Sequence, residues 1–284
     1  MVYLYIGLSA GCSVLIAHLL KITEVKKLRT LPTLTANYFF AAVIAFGIGM
    51  SQGGAWNLFN HPYFLLFSGF VGAFFIGNFL MYSKSVHANG VGVTIAAMRV
   101  SLLVPVLISI YFYQESISWA TASGIVLVIG AMVLLIPKKE SIKIGGFDAG
   151  WLLVFIFLVA GFADASLKVY EEEFSLQIHE LIFMSYVFGA AFLIGVIAMI
   201  FKKEFFFSAK EAGLGAIIGI PNLYSSIFLI YALAQIDGAI AYPLVNTLSV
   251  GAGAALGFWI WKDTVSPLQW IGIAVAVLAI VLLL

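Results

Sequence analysis

Ten long runs of apolar residues, each about the length that carries a helix across a bilayer, fill almost the whole chain. They cover 3–20, 34–50, 63–82, 91–112, 119–136, 151–169, 181–201, 213–233, 239–261 and 268–284. At about 20 residues per span, they account for most of the 284 residues and leave only short loops. The expected fold is an all-α integral membrane protein with ten transmembrane helices and no extramembrane domain. Composition agrees, with 63% hydrophobic and 10% charged residues, against roughly 45–50% and about 25% in a soluble domain. A net charge of +1 offers no basic face for nucleic acid. The single cysteine, Cys12, makes no internal disulfide. No charged segment precedes the first apolar run, so 1–20 reads as a first span rather than a cleaved signal.

The longest polar stretch, 137–150, divides the chain near its middle, and the two sides repeat. A shift of 148 residues places Asn89-Gly90 on Asp237-Gly238 and Ser101 on Ser249. The same shift places Glu115-Ser116-Ile117-Ser118 on Asp263-Thr264-Val265-Ser266, and Gly124 on Gly272. With one residue of slippage, Leu20-Lys21-Ile22 falls on Leu167-Lys168-Val169, and Phe79-Leu80-Met81-Tyr82 on Phe228-Leu229-Ile230-Tyr231. These matches imply two five-span units, 1–140 and 148–284. An odd number of spans turns the second unit upside down relative to the first. Inverted repeats of this kind recur in secondary transporters, with the substrate at the repeat interface near mid-membrane. Exchange of conformation between the halves then turns an outward-open cavity into an inward-open one.

The segment from Pro105 through Glu115-Ser116-Ile117-Ser118 to Gly124 resembles the end of the fourth helix in EamA-type members of the drug/metabolite transporter superfamily. Trp261-Lys262-Asp263 through Ser266-Pro267 to Gly272 is similar to the same motif at the ninth helix. The resemblance covers the whole chain. It implies a central cavity lined by helices 1–4 and 6–9, with helices 5 and 10 peripheral. It also implies a location in the plasma (inner) membrane of a prokaryote. Members carry amino acids, nucleobases, sugars, nucleotide sugars, phosphorylated metabolites or drugs, so the resemblance names no cargo.

Loops after the odd-numbered spans hold 12 of the 14 lysines and arginines; the opposite side holds only Lys168, and Arg99 lies within span 4. The positive-inside rule then places both termini outside, whereas members of the resembled family more often place them in the cytoplasm.

Ionisable groups inside a membrane cost roughly 2.5–3.5 kcal/mol each and normally face a cavity or a partner. Arg99 in span 4 and Asp164 in span 6 are such groups. A guanidinium fork suits a carboxylate or phosphate, and Asp164 suits an amine or a coupling proton; a structural ion pair between them is the competing reading. Lys168 lies one turn beyond Asp164 and joins the candidates, although a lysine at a helix end also snorkels to the interface. Its counterpart Lys21, and His18 one turn earlier, carry the same ambiguity. Pro221 and Pro243 suggest interrupted spans that aim Asn222, Tyr224, Ser225, Tyr242 and Asn246 at a substrate. Asn78 and Tyr82, four apart, share a face of span 3. The same residue types serve interhelical hydrogen bonds. Glu115 and Asp263 are read first as structural, fixing the loops before Ser118 and Ser266. Gly215/Gly219 and Gly253/Gly257 have the spacing of close helix crossings.

Gly7-Leu8-Ser9-Ala10-Gly11 matches a nucleophile elbow but lies inside a span. His179-Glu180 begins a zinc-protease pattern that Phe183 ends. The sequence therefore predicts no enzyme, cofactor or metal. It predicts a secondary-active transporter of small polar metabolites such as amino acids. A nucleobase, nucleoside, sugar-type or drug transporter is the alternative, and a scaffold or an intramembrane enzyme is remote. The partners are a small-molecule substrate and the lipid bilayer, with protons as a coupling ion and a homodimer both left open.

Overall fold

A chain this apolar can keep its backbone polar groups paired without water only by pairing them within itself, and a helix does so locally. The structure, a computed structural model, describes residues 1–53, 62–89, 91–134, 147–204, 206–260 and 266–283. Among these residues every regular element is a helix: α1 (Val2–Val25), α2 (Thr30–Ser51), α3 (Pro62–Asn89), α4 (Val91–Val100), α5 (Leu103–Tyr111), α6 (Trp119–Leu134), α7 (Phe147–Glu173), α8 (Glu180–Phe201), α9 (Ala209–Leu233), α10 (Gly238–Ile260) and α11 (Pro267–Leu283). Among the described residues, seven helices are long and apolar enough to cross a membrane; the apolar stretches Ala97–Tyr111, Trp119–Leu134 and Pro267–Leu283 are shorter. Large apolar side chains such as Phe70, Leu66, Val126 and Trp259 face outward, as suits a lipid-facing perimeter.

Span 4 differs from expectation: it is two helices, α4 and α5, with a turn at Ser101-Leu102. Pro105 offers no N–H to the Ser101 carbonyl and crowds it, so the Val104 N–H takes that carbonyl at 2.9 Å. Gly161 of α7 receives the break, since a Cβ there would lie 2.9 Å from the Ser101 carbonyl oxygen and 2.5 Å from Val104 Cβ. Pro221 and Pro243, by contrast, do not interrupt their spans. Both sit inside the continuous helices α9 and α10. Each is buried, so neighbouring helices hold the backbone where one hydrogen bond is lost.

The helices pair across the middle of the chain. α1 lies on α9 and α10, α2 on α8 and α9, α3 on α7 and α8, and α7 on α4 and α5; α6 and α11 pair with each other. Small residues set these approaches. At Gly215 an added Cβ would lie 2.7 Å from Ala36 Cβ and from the Thr33 carbonyl oxygen, and at Gly219 it would lie 3.0 Å from the Asn37 carbonyl oxygen. Gly72 lets α3 onto α8, where a Cβ would meet the Val187 carbonyl oxygen at 2.5 Å. The second spaced pair behaves differently: Gly253 has open space before it. Tyr38, Phe183, Met184 and Phe188 are fully buried at the centre, and the Tyr170 ring stacks on Phe183 at 4.1 Å.

One end of the bundle is tied by a salt bridge between the halves. Ser208 and Glu211 form a capping box at the start of α9, with Glu211 N–H on Ser208 Oγ at 3.2 Å and Ser208 N–H on Glu211 Oε2 at 2.8 Å. Arg29, at the α1–α2 turn, forks onto the same carboxylate, Nε to Oε1 and Nη2 to Oε2, each at 2.8 Å, and also donates to the Phe206 carbonyl. The hydrogen bond to Glu211 holds the Arg29 pKa above its ordinary value. Arg29→Met is expected to lower the melting temperature in detergent by a few degrees, and less at high salt than at low salt. An unchanged melting curve would show that the tie carries no stability.

Candidate functional site

The break between α4 and α5 places Arg99 in the last turn of α4, inside the apolar stretch Ala97–Tyr111. Its guanidinium is electrostatically coupled to Asp164 on α7 and to Tyr82 on α3. Arg99 and Asp164 are both half-buried. Elsewhere, ion pairs run from Arg29 to Glu211, from Lys168 to three glutamates and from His179 to Glu180. Asn78 stands one turn from Tyr82, and its buried side-chain carbonyl oxygen has no hydrogen-bond partner among the described residues. An arginine and an aspartate half-buried in apolar helices offer groups that can hold a small molecule with both an anionic and a cationic group.

Lys168 is committed elsewhere. Its ammonium is buried at the end of α7, 3.1 Å from Glu115 Oε1 and 3.4 Å from Glu171 Oε2, and also paired with Glu172. It stands 5.7 Å from the centre of the Tyr113 ring. Burial raises the Tyr113 hydroxyl to about 12, so this ring stays neutral. Glu115 does more than fix its own loop. Its Oε1 accepts the Gly238 N–H and its Oε2 the Ala239 N–H, each at 2.9 Å, so one carboxylate from the first half caps the α10 helix of the second. Its sequence counterpart Asp263 lies outside the described residues.

Most other sequence candidates are used between helices. Asn222 donates to Asn37 Oδ1 at 3.2 Å. Ser225 exchanges hydrogen bonds with the Ser9 hydroxyl and carbonyl and meets Ser13 Oγ at 2.8 Å. Together they form a polar seam joining α1, α2 and α9. The Tyr224 ring lies 5.7 Å from Phe228. Tyr242 is buried and donates to the Asp164 carbonyl oxygen at 2.9 Å, which ties α10 to α7 beside the charged pair. Asn246 donates to the Tyr242 carbonyl one turn back, at 3.0 Å. The remaining candidates are Arg99 and Asp164, with Tyr82 within reach of the Arg99 charge and Tyr242 tying α10 to α7. Asn222→Ala is expected to cost about 1 kcal/mol of stability without altering affinity for any bound solute. A ligand affinity that falls more than the stability does would return Asn222 to the binding site.

A separate cleft of about 130 Å³ opens between α1 and α10, lined by Val14, Ala17, His18, Lys21, Gly253, Leu256 and Gly257. Among the described residues there is no cluster of metal-ligating side chains.

No protein-family model matches the chain. A protein of Haemophilus influenzae described as uncharacterized is 25% identical over 280 residues, which cover 95% of this chain and 93% of that protein. A solved crystal structure matches with a TM-score of 0.77 over 98% of this chain and 95% of its own, at 12% identity. The likeness at that identity is one of fold.

Proposed function

We propose that the chain is a secondary-active membrane transporter of the EamA type, built as two inverted five-span units, 1–140 and 148–284, that moves a small zwitterionic metabolite such as an amino acid by alternating access. The pattern of helix contacts carries this reading. The sequence repeat matches α1 to α7, α2 to α8, α3 to α9, α4–α5 to α10 and α6 to α11. Under that exchange the α1–α9 contact becomes α7–α3, α2–α9 becomes α8–α3, and α1–α10 becomes α7 with α4–α5; all of these contacts are present. The α2–α8 and α6–α11 pairs map onto themselves. This pattern supports a pseudo-two-fold relation between the halves, and inverted repeats of that kind favour a site between them. Arg99 belongs to the first half and Asp164 to the second.

The charge bias places the α1–α2 turn in the cytoplasm. Arg99 takes the carboxylate of the substrate, and Asp164 takes its amine or a coupling proton. The test is thermal unfolding in detergent against amino acids, nucleobases, sugars and nucleotide sugars, followed by counterflow in liposomes for any hit. A ligand of the native state raises the melting temperature with concentration. An amino acid that does so and exchanges across the liposome supports the proposal. Stabilisation by bases or sugars alone redirects it to the tyrosines and amides. Silence across the panel removes small polar solutes from the reading.

A further inference from the structure

The turns that end α1 and α8 are built alike, and both place lysine where the backbone favours glycine. Each helix closes in a Schellman motif. At α1 the Lys27 N–H returns to the Glu24 carbonyl and the Leu28 N–H to that of Thr23; at α8 the Lys203 N–H returns to Ile200 and the Glu204 N–H to Met199. The residue after the cap takes a left-handed backbone in such a motif, which glycine adopts most readily. Gly53 does so where α2 finishes at the opposite end of the bundle, at φ 83°. Lys27 and Lys203 hold φ 53° and 59° with a full side chain, and Lys26 and Lys202 precede them as the caps. A pair of lysines is thus kept at each turn against the local backbone preference.

Tertiary contacts bring these two turns together. Arg29 donates to the Phe206 carbonyl at 2.6 Å and forks onto Glu211, so the α1–α2 turn sits against the segment that leads from α8 into α9. The Glu211 carboxylate is satisfied by Arg29 and Ser208 and leaves the lysine charge of the surface in place. Lys26, Lys27, Lys202 and Lys203 are all exposed, as is Lys210 at the start of α9. Beside them Phe201 is 84% exposed, Phe206 81% and Phe207 40%. Exposed aromatic rings interleaved with lysines are the composition of an interfacial membrane anchor.

We propose that the two turns form one docking surface for anionic phospholipid, with Lys26, Lys27, Lys202 and Lys203 on the headgroup phosphates and Phe201, Phe206 and Phe207 inserted beneath them. The charge bias places this end in the cytoplasm, where the leaflet carries the anionic lipids. Charge complementarity selects the occupant, and the rings need an apolar layer directly under the phosphates, which a soluble anion lacks. The inference rests on the membrane location and orientation of the chain and not on transport, so the two fail separately.

The test titrates the purified protein in detergent with phosphatidylglycerol, or with phosphatidylcholine of the same acyl chains, and follows the melting temperature. Phosphatidylglycerol is expected to raise it well beyond phosphatidylcholine. Lys27→Gly with Lys203→Gly removes two charges and relieves both left-handed positions, so without lipid this variant should equal or exceed the wild type in stability. Its apparent affinity for phosphatidylglycerol should nevertheless fall about 25-fold, at about five-fold per charge. Lys27→Arg with Lys203→Arg should keep the wild-type affinity. An environment-sensitive fluorophore on Phe206→Cys, in a Cys12→Ala background, should report apolar surroundings in vesicles containing phosphatidylglycerol. Equal stabilisation by the two lipids, an undiminished response of the glycine variant, or a fluorophore that remains in water would each overturn the surface. Glycerol phosphate in solution acting as well as the lipid would also overturn it, in favour of a site for soluble anions. Lys84→Gln, at an exposed lysine on α3, controls for net charge; the same five-fold loss there would remove the assignment to these turns.

Discussion

Arg99→Ala is expected to weaken binding of the proposed zwitterionic substrate by about 10²-fold or more while lowering the melting temperature of the empty protein only slightly. Truncating one member of a desolvated, charge-complementary contact typically costs 2–5 kcal/mol, which corresponds to between about 30-fold and several thousand-fold. Arg99 touches no carboxylate directly among the described residues, and its charge is felt by Asp164 at a distance. Its removal therefore leaves no broken bidentate pair behind. Arg99→Lys should restore part of the affinity, because a point charge still attracts a carboxylate but loses the two parallel hydrogen bonds. Isothermal titration of the amino acid that stabilises the wild type reads both variants. If affinity is unchanged while the melting temperature drops by many degrees, Arg99 is a brace between α4 and α7, and the substrate site lies elsewhere.

Gly215→Leu is expected to destabilise the protein by about 3 kcal/mol or more, enough to lose much of the folded population. The position admits no side chain, because the space a Cβ would occupy is bounded by the Thr33 carbonyl, the Asn37 N–H and Ala36 Cβ. Two of these are backbone, which cannot rotate away. The α2–α9 crossing would have to open, and with it the Asn37–Asn222 hydrogen bond about two turns along α9. Gly213→Leu is the matched control, on the same helix two residues earlier, with nothing within 4 Å of its Cβ position. Thermal unfolding and size-exclusion behaviour in detergent should separate the two variants clearly. Equal stability would mean that this crossing contributes little to the fold.

The sequence candidates divide by what their chemistry needs. Arg99 and Asp164 were legible because an ionisable group in an apolar run demands an explanation wherever it points. Asn222, Ser225 and Tyr242 were not resolved, because a hydroxyl or amide serves a substrate and a neighbouring helix equally well. Only the partner's position decides, and here the partners are Asn37, Ser9 and the Asp164 backbone. Lys168 looked like a member of the charged site because it follows Asp164 by one turn. The three carboxylates around it show otherwise. The Arg29–Glu211 tie had half a signal: Ser208 and Glu211 stand at capping-box spacing, but nothing in the sequence links them to a residue 182 positions away.

What the chain determines by itself is local and periodic. Apolar length makes helices, Pro105 breaks one of them, Gly215 and Gly219 permit close approach, and the spacing of repeated residues implies two equivalent halves. Each of these follows from covalent geometry, backbone hydrogen bonding or the cost of exposing polar groups to lipid, and needs no knowledge of neighbours. Tertiary structure alone decides which partner a side chain meets. Lys168 follows Asp164 by one turn, yet its ammonium is sealed among Glu115, Glu171 and Glu172. The spacing of residues along one helix is blind to the helix packed against it, so such pairings arise only in the assembled fold.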